Sequence, residues 1–328
     1  MHGISDESKI GRPLEDSTAI LTRHPANPLI QAKDYPGISS IFNPAPALYN
    51  GKVILLVSVL PFTTERFGET RVAESEDKIH FTLRDEAFIN IHRDEFPYNV
   101  VCEHVIDNRI TKIDDWYYLI TPVQADKGRF LSPVGVLGRT KDFESYELIE
   151  IITQPLNRGA SLFPKKINGK YYKLDRPGAG DGSAGSIWLS SSHDLIHWGC
   201  FRPVLAPGYS FWNRCKIGPT PPIWTPDGWL VIVHGVFNPA GGICYYIGAV
   251  LLDLEEPWKV IGKTKSWLLA PEERYETNGM CDNVVFPCGA LADLDKDELF
   301  LYYGAADSSI CLATGKVSEV IYCCKQEI

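Results

Sequence analysis

The sequence lacks any apolar run long enough for a membrane-spanning helix: its longest, Val53 to Phe62, is about half of what a span requires. An apolar segment near the N-terminus is missing too. Met1 to Ser17 is polar and mixed in charge, so no secretory leader is expected and a cytoplasmic location is. Positive charge is in deficit, with 32 Lys and Arg against 41 Asp and Glu and a net charge of −9. This balance excludes broad affinity for nucleic acid or anionic membrane, and any anion site must be a local cluster of cations. Helical periodicity longer than about two turns is absent apart from a weak candidate near Pro271 to Glu276, which disfavours α/β folds. Among the nine cysteines (Cys102, Cys200, Cys215, Cys244, Cys281, Cys288, Cys311, Cys323 and Cys324) no two form a CxxC pair, so no zinc site is expected. Most lie in strand-like apolar runs and read as small buried hydrophobes in a reducing compartment.

What is present is a repeat. An apolar strand, a tight polar turn and an aromatic or β-branched strand recur five times, centred on Asn50-Gly51, Asp114-Asp115, Asn168-Gly169, Asp227-Gly228 and Asp295-Lys296. Asn-Gly and Asp-Gly are the pairs that type I′ hairpins favour, because both central residues need φ > 0. The outer halves repeat as well, as in Gly135-Val-Leu-Gly-Arg-Thr-Lys-Asp-Phe and Ile187-Trp-Leu-Ser-Ser-Ser-His-Asp-Leu. The period suits one four-stranded blade with its loops, so the expected fold is all-β, a five-bladed β-propeller. The expected division is an N-terminal extension over residues 1–22 and a single propeller domain over 23–328.

In a hairpin, the start of the first strand and the end of the second lie at the same end. Five inner hairpins around a channel therefore bring ten such positions to one rim. First-strand starts carry Asn43, Asp107 with Arg109, Arg158, Lys216, and Asp282 with Asn283; second-strand ends carry Ser58, Thr121, Arg176, His234 and Asp307. Arg158, Arg176, Lys216 and His234 fall on adjacent blades, the grouping that a dianion such as phosphate would need. Taken singly, strand-end Arg and Lys are usually solvated or paired, Asp107 and Asp307 read as turn carboxylates, and His234 reads as a core histidine. Their coincidence on one rim is what argues for a site. Gly180-Asp-Gly-Ser-Ala-Gly185 formally matches GxGxxG, but a strand rather than a helix follows it, so it reads as a loop. Of the aromatic residues, Trp212 is the first choice to stack on a sugar ring.

Several segments resemble glycoside hydrolase family 130, the mannoside phosphorylases and related β-mannosidases. They are Leu162-Phe-Pro-Lys-Lys-Ile-Asn-Gly-Lys-Tyr with Arg176-Pro, Asp194-Leu-Ile-His-Trp-Gly, Lys216-Ile-Gly, His234-Gly-Val, Gly248-Ala-Val-Leu-Leu-Asp, Asn283-Val-Val-Phe-Pro-Cys and Tyr303-Gly-Ala-Ala-Asp. The resemblance runs from about His24 to a little beyond Asp307, and the family's fold is a five-bladed propeller. It implies that Asp107 is the general acid, followed by the family's Arg at Arg109. It implies a phosphate-binding set of Arg158, Arg176, Lys216, His234 and Tyr245, and a mannosyl unit held by Asn43 and Asp307. Ile106 and Asn108 stand where the family commonly has Glu and Pro, and Asp175 replaces its His or Asn before Arg-Pro. Gly159 and Tyr246 also differ. An Arg frequent near Ser58 is missing, with Arg66 and Arg71 as candidates to take its place.

Inverting hydrolysis needs one carboxylic acid to protonate the leaving oxygen and a second carboxylate to activate water, whereas phosphate is already an anionic nucleophile. The retained phosphate set thus implies reversible phosphorolysis of a β-mannoside to α-mannose 1-phosphate and a shortened sugar. Phosphate is the expected co-substrate, a small oligosaccharide the expected partner, and no metal or organic cofactor is expected. A β-mannosidase of the same fold, or a sugar-binding propeller without catalysis, is the alternative. The motifs leave open the linkage, the acceptor and whether the chain forms a homo-oligomer.

Overall fold

A computed structural model describes residues 20–62, 68–89, 102–125, 133–178 and 185–326. Residues 1–19, Arg66 and most of the Gly180 to Gly185 loop lie outside these. The described residues form five antiparallel sheets. Blade one comprises Ile38–Tyr49, Lys52–Pro61, Glu69–Ser75 and Thr82–Ala87. Blade two has an interrupted first strand, Cys102–Val105 and Arg109–Ile113, then Trp116–Ala125, Val134–Thr140 and Glu147–Ile151. Blade three runs through Ser161–Leu162, Tyr171–Asp175, Ile187–Ser192 and Trp198–Leu205. Blade four is Lys216–Pro219 with Ile223–Thr225, Gly228–Phe237, Cys244–Leu252 and Val260–Lys263. Blade five is Val285–Pro287 with Leu291–Asp293, Glu298–Ala305 and Ser309–Gly315. The fold is a five-bladed β-propeller, as the repeat requires.

The turns behave as their chemistry dictates, with two adjustments. Asn50 and Gly51 have φ of 49° and 80°, and Asn168 and Gly169 have 50° and 77°, the paired left-handed conformations of type I′ hairpins. In blade four the turn residues are Pro226 and Asp227, and Gly228 already pairs with Thr225. Proline pre-sets the first turn position and moves the turn one residue upstream. In blade five the connection spans residues 294–297, with Asp297 rather than Lys296 in the left-handed region.

Five apolar clusters hold the ring together, one at each blade-to-blade interface. Ile54 and Leu56 pack against blade two with Val105, Ile110 and Leu119. Their neighbours Val53, Leu55, Val57 and Val59 point the other way, against Tyr302, Ile310 and Leu312 of blade five. Successive side chains of a strand face opposite sides, so a strand covered on both reads as one continuous apolar run. That is why Val53 to Phe62 is the longest such run in the chain.

The ring closes through its ends. Leu21–Arg23 adds to Ser309–Gly315 in antiparallel register, Leu21 opposite Gly315 and Arg23 opposite Ala313. Among the described residues Leu21–Arg23 is thus the strand that closes the ring. Arg23 donates to both carboxylate oxygens of the buried Glu276 at 2.8 Å, and Tyr303 Oη donates to Glu276 Oε1 at 2.7 Å, which fastens the closing strand to blade five. Besides the expected short helix, here Arg274–Thr277, there is a nine-residue helix, Val317–Lys325, that the sequence reading passed over. Val317, Val320, Ile321 and Cys324 recur at helical spacing and are its buried residues. No described helix is long and apolar enough to cross a membrane. Of the described cysteines only Cys288, Cys311 and Cys324 are buried, whereas Cys200, Cys215 and Cys281 are exposed. The reading of most of them as core hydrophobes is corrected accordingly.

Candidate active site

One cavity of about 310 Å³ takes part of its wall from every blade. Blade one supplies Phe42, Asn43 and Leu60, and blade two supplies His104, Ile106 and Asp107. Arg158 and Arg176 come from blade three, Lys216, His234 and Tyr245 from blade four, and Met280, Phe286 and Asp307 from the blade-five side. A groove of about 680 Å³ between blades two and three is larger, but it lies outside the channel and its buried charges, Lys173 and Asp175, are paired with each other.

Asp107 lies between the two segments of the first strand of blade two, with φ of 58°, a conformation that Asp and Asn tolerate better than most residues. Its backbone N–H donates to Ser58 Oγ at 3.0 Å, and Arg109, itself buried, donates to its carbonyl. Asn43, with φ of 48° at a bulge in blade one, donates through Nδ2 to Asp107 Oδ1 at 2.7 Å. Arg158 Nη2 donates to Oδ2 at 3.0 Å. Burial pushes the Asp107 carboxyl up, but Arg158, Arg109 and the Asn43 hydrogen bond outweigh it and hold the group below the usual carboxylate range. Behind it, Thr121 donates to Asn108 Oδ1 and Asn108 to Thr70 Oγ1, so Asn108 ties the segment to blade one.

The cationic side is different in kind. Arg176 Nε and both ring nitrogens of His234 are buried without a hydrogen-bond partner among the described residues. Lys216 Nζ donates to Tyr245 Oη at 2.8 Å. Burial, with Arg176 and Arg158 nearby, pushes the Lys216 ammonium down to about 7. Burial and the neighbouring Lys216, Arg176 and Arg109 hold His234 well below its ordinary value, and its ring lies 4.5 Å from that of Phe286, centroid to centroid. His234 is therefore neutral, with one ring N–H to donate, where the sequence suggests a fourth cation. Arg176 is pushed down to about 10 by burial and by Arg109 and Arg158.

Two glycines make this possible and were noted in the sequence only as parts of motifs. A Cβ on Gly218 would come within 2.3 Å of His234 and 2.7 Å of Arg176, and one on Gly304 within 2.5 Å of Asn43 Oδ1. Asp307, in the cavity with φ of 47°, is pushed up to about 6 by burial, against a hydrogen bond from Cys281. His104, half-buried and lining the cavity, was not singled out in the sequence. It lies before the break in its strand, upstream of Asp107, whereas the rim positions on that strand are read from Asp107 and Arg109. Its Nδ1 accepts from Gly68 N–H at 3.0 Å.

Three expected residues lie elsewhere. Trp212 is fully buried in blade four with Nε1 donating to the Lys265 carbonyl at 2.9 Å, so it packs the blade and offers no face to a sugar. Asp282 is exposed and accepts from Gly279 N–H at 3.0 Å, the turn role that short carboxylates commonly fill. Arg109 sits behind Asp107 rather than in the cavity wall. Arg71 does not replace the missing Arg, because it pairs with Glu69 at 2.5 Å away from the cavity.

A family model described as beta-1,4-mannooligosaccharide phosphorylase, glycoside hydrolase family 130, matches residues 17–326. The chain is 33% identical over 320 residues to the beta-1,4-mannooligosaccharide phosphorylase of Ruminococcus albus, covering 93% of this chain and 91% of that one. It is 37% identical over 254 residues to the beta-1,2-mannobiose phosphorylase of Listeria innocua, covering 77% and 67%. Among solved structures, the Listeria innocua beta-1,2-mannobiose phosphorylase in complex with beta-1,2-mannobiose superposes with a TM-score of 0.81 at 31% identity, over 94% of this chain and 99% of that one.

Proposed function

The chain belongs to glycoside hydrolase family 130 and is an enzyme of the mannoside phosphorylase type, and on that premise we propose that it cleaves a β-linked mannoside by inverting phosphorolysis. The observation that carries this reading is the set of unpartnered buried donors, Arg176 Nε and the His234 ring, beside Lys216 and in one cavity with a buried carboxyl group. Buried donors without acceptors cost free energy unless a ligand completes them, and an anion with several oxygens can do so.

In this mechanism phosphate lies against Arg176, Lys216, His234 and Tyr245, with Arg158 at its edge. It attacks the anomeric carbon from the face opposite the leaving sugar, and inversion gives α-mannose 1-phosphate. Asp107 gives its proton to the departing oxygen, directly or through a sugar hydroxyl. Asn43 and Asp307 hold the mannosyl unit, and Arg109 fixes the Asp107 backbone. The alignment of the nucleophile and the neutralisation of its charge are the protein's main contributions. The reaction so written calls on no metal or organic cofactor. The relatives act, by name, on β-1,4- and β-1,2-linked mannosides, and both supply candidate substrates.

The test is release of mannose and mannose 1-phosphate from β-1,4- and β-1,2-mannobiose, with and without millimolar phosphate. Phosphate should raise turnover strongly and make mannose 1-phosphate the main product. Asp107→Asn, nearly isosteric, should fold and lose roughly a hundred- to ten-thousand-fold in turnover. Equal rates in both buffers with free mannose as product would instead make the chain a β-mannosidase.

A further inference from the structure

Both carboxylate oxygens of Asp107 are already taken by N–H donors: Oδ1 by Asn43 at 2.7 Å and Oδ2 by Arg158 at 3.0 Å. A carboxyl group held by two N–H donors, one of them a guanidinium, is kept in its charged form, without the proton that an acid must deliver. Each oxygen keeps a second lone pair that could take a proton, but the guanidinium on Oδ2 is the nearest opposing charge, so the acid is loaded far more easily once that charge moves away. Asn43 is not free to go. It is buried, its backbone is in the left-handed region, and Gly304 packs against it. Arg158 is the opposite case: its side chain is 40% exposed, and the Asp107 contact is its only hydrogen bond or ion pair among the described residues. It also lines the same cavity as Arg176 and Lys216, close enough that its charge bears on both.

We infer that Arg158 is a movable arm shared between Asp107 and the nucleophile: an anion bound at Arg176, Lys216 and His234 draws its guanidinium off Oδ2, and Asp107 then takes up a proton from solvent. The general acid would be loaded only once phosphate is in place. In the empty site it stays a carboxylate, which suppresses cleavage by water. This rests on the phosphorolytic reading above and adds to it a positioning role for Arg158 and an order of events. The energetics point the same way. Removing the strongest opposite charge from a buried carboxyl and placing a dianion nearby both favour its protonated form. The other charged or titratable groups around Asp107 are Arg109, Arg176, His104, Asp307, Lys216, Tyr245 and Cys288. Arg109 holds the backbone carbonyl and has no reason to move.

The experiment is titration calorimetry with sulfate, a dianion that does not itself titrate near neutrality, in two buffers of different ionisation heat at about pH 5.5. At that pH Lys216 and Asp307, at about 7 and about 6, already carry most of their protons, so His234 is the main competing acceptor. Comparing wild type with Asp107→Asn removes it. Wild type should take up more protons per sulfate than the variant, by a sizeable fraction of one, and a crystal structure with sulfate should show Arg158 on the anion and away from Oδ2. Equal uptake by the two proteins, or Arg158 still on Oδ2 with sulfate bound, overturns this inference and leaves phosphorolysis standing. Failure of both sulfate and phosphate to bind would overturn phosphorolysis and this inference with it.

Discussion

Lys173 and Arg176 lie three residues apart on blade three, and both are cations taken out of water with opposite outcomes. Lys173 donates to both oxygens of Asp175, at 2.5 and 2.6 Å, while Ser190 and Asn157 donate to the same carboxylate at 2.7 and 3.0 Å. Every charge in that cluster has its partner inside the protein. Among the described residues Arg176 has no carboxylate in contact and its Nε has no acceptor, and the nitrogens of His234 opposite have none either. The first arrangement is what a chain builds to hold itself together. The second leaves buried donors without a partner among the described residues, and that difference is a better indicator of a site than the presence of charge.

The comparison breaks first at its structural end. Lys173→Met leaves the Asp175 carboxylate buried with only neutral donors, and removing one partner of a buried pair typically costs about 3–5 kcal/mol. Denaturant unfolding should show that loss in the midpoint, and added phosphate should raise the midpoint of this variant as much as it raises that of wild type. If Lys173→Met unfolded like wild type, the pair would contribute no net stability and the contrast with Arg176 would lose one of its two sides.

At the ligand end the expected effect is smaller and of another kind. Arg176→Gln deletes a charge but keeps a polar side chain in a place where the charge has no carboxylate partner among the described residues. Stability should change little, while the KM for phosphate rises roughly 10- to 100-fold, the size of one charge-assisted contact. Steady-state rates at varied phosphate measure this directly. A variant that lost stability and kept its phosphate KM would place Arg176 with Lys173, among the structural cations.

The sequence made the repeat legible because turn chemistry is local: Asn-Gly at 50–51 and 168–169 demands a hairpin wherever it occurs. The rim followed from hairpin geometry alone, which is why Asn43, Asp107, Arg158, Arg176, Lys216, His234 and Asp307 all reach one cavity. Closure by Leu21–Arg23 was not legible, because a three-residue strand that pairs with residues almost the whole chain away has no local signature. Trp212 could not be separated from a sugar platform by residue type, since burial and exposure look alike in a string of letters. The neutral state of His234 depends on its burial and on Lys216, Arg176 and Arg109 converging on it, which only the folded chain specifies. Nor does composition distinguish Lys173 from Arg176. What separates them is whether a carboxylate lies within reach.

Lys216 tests the comparison at its finest. Its ammonium is held down at about 7 by burial first and by Arg176 and Arg158 next, against 10.5 in an open chain. Between those two values the unfolded chain binds a proton that the folded one does not, so stability rises with pH across that window. Below about pH 7 the folded protein carries the whole cost of the buried charge, and near 10.5 it carries none. Lys216→Met removes that cost along with the 2.8 Å hydrogen bond to Tyr245 Oη. Without phosphate the variant should melt above wild type at pH 6, by roughly 2–4 °C for each kcal/mol recovered, and the gap should close as pH approaches 10. Saturating phosphate should reverse the order, because a ligand stabilises only the form that binds it. Thermal melts of both proteins at two pH values, with and without phosphate, read all of this. A variant that melted below wild type at pH 6 without phosphate would mean that Lys216 is satisfied by the protein itself, as Lys173 is by Asp175, and the contrast between the two cations would no longer point to an anion.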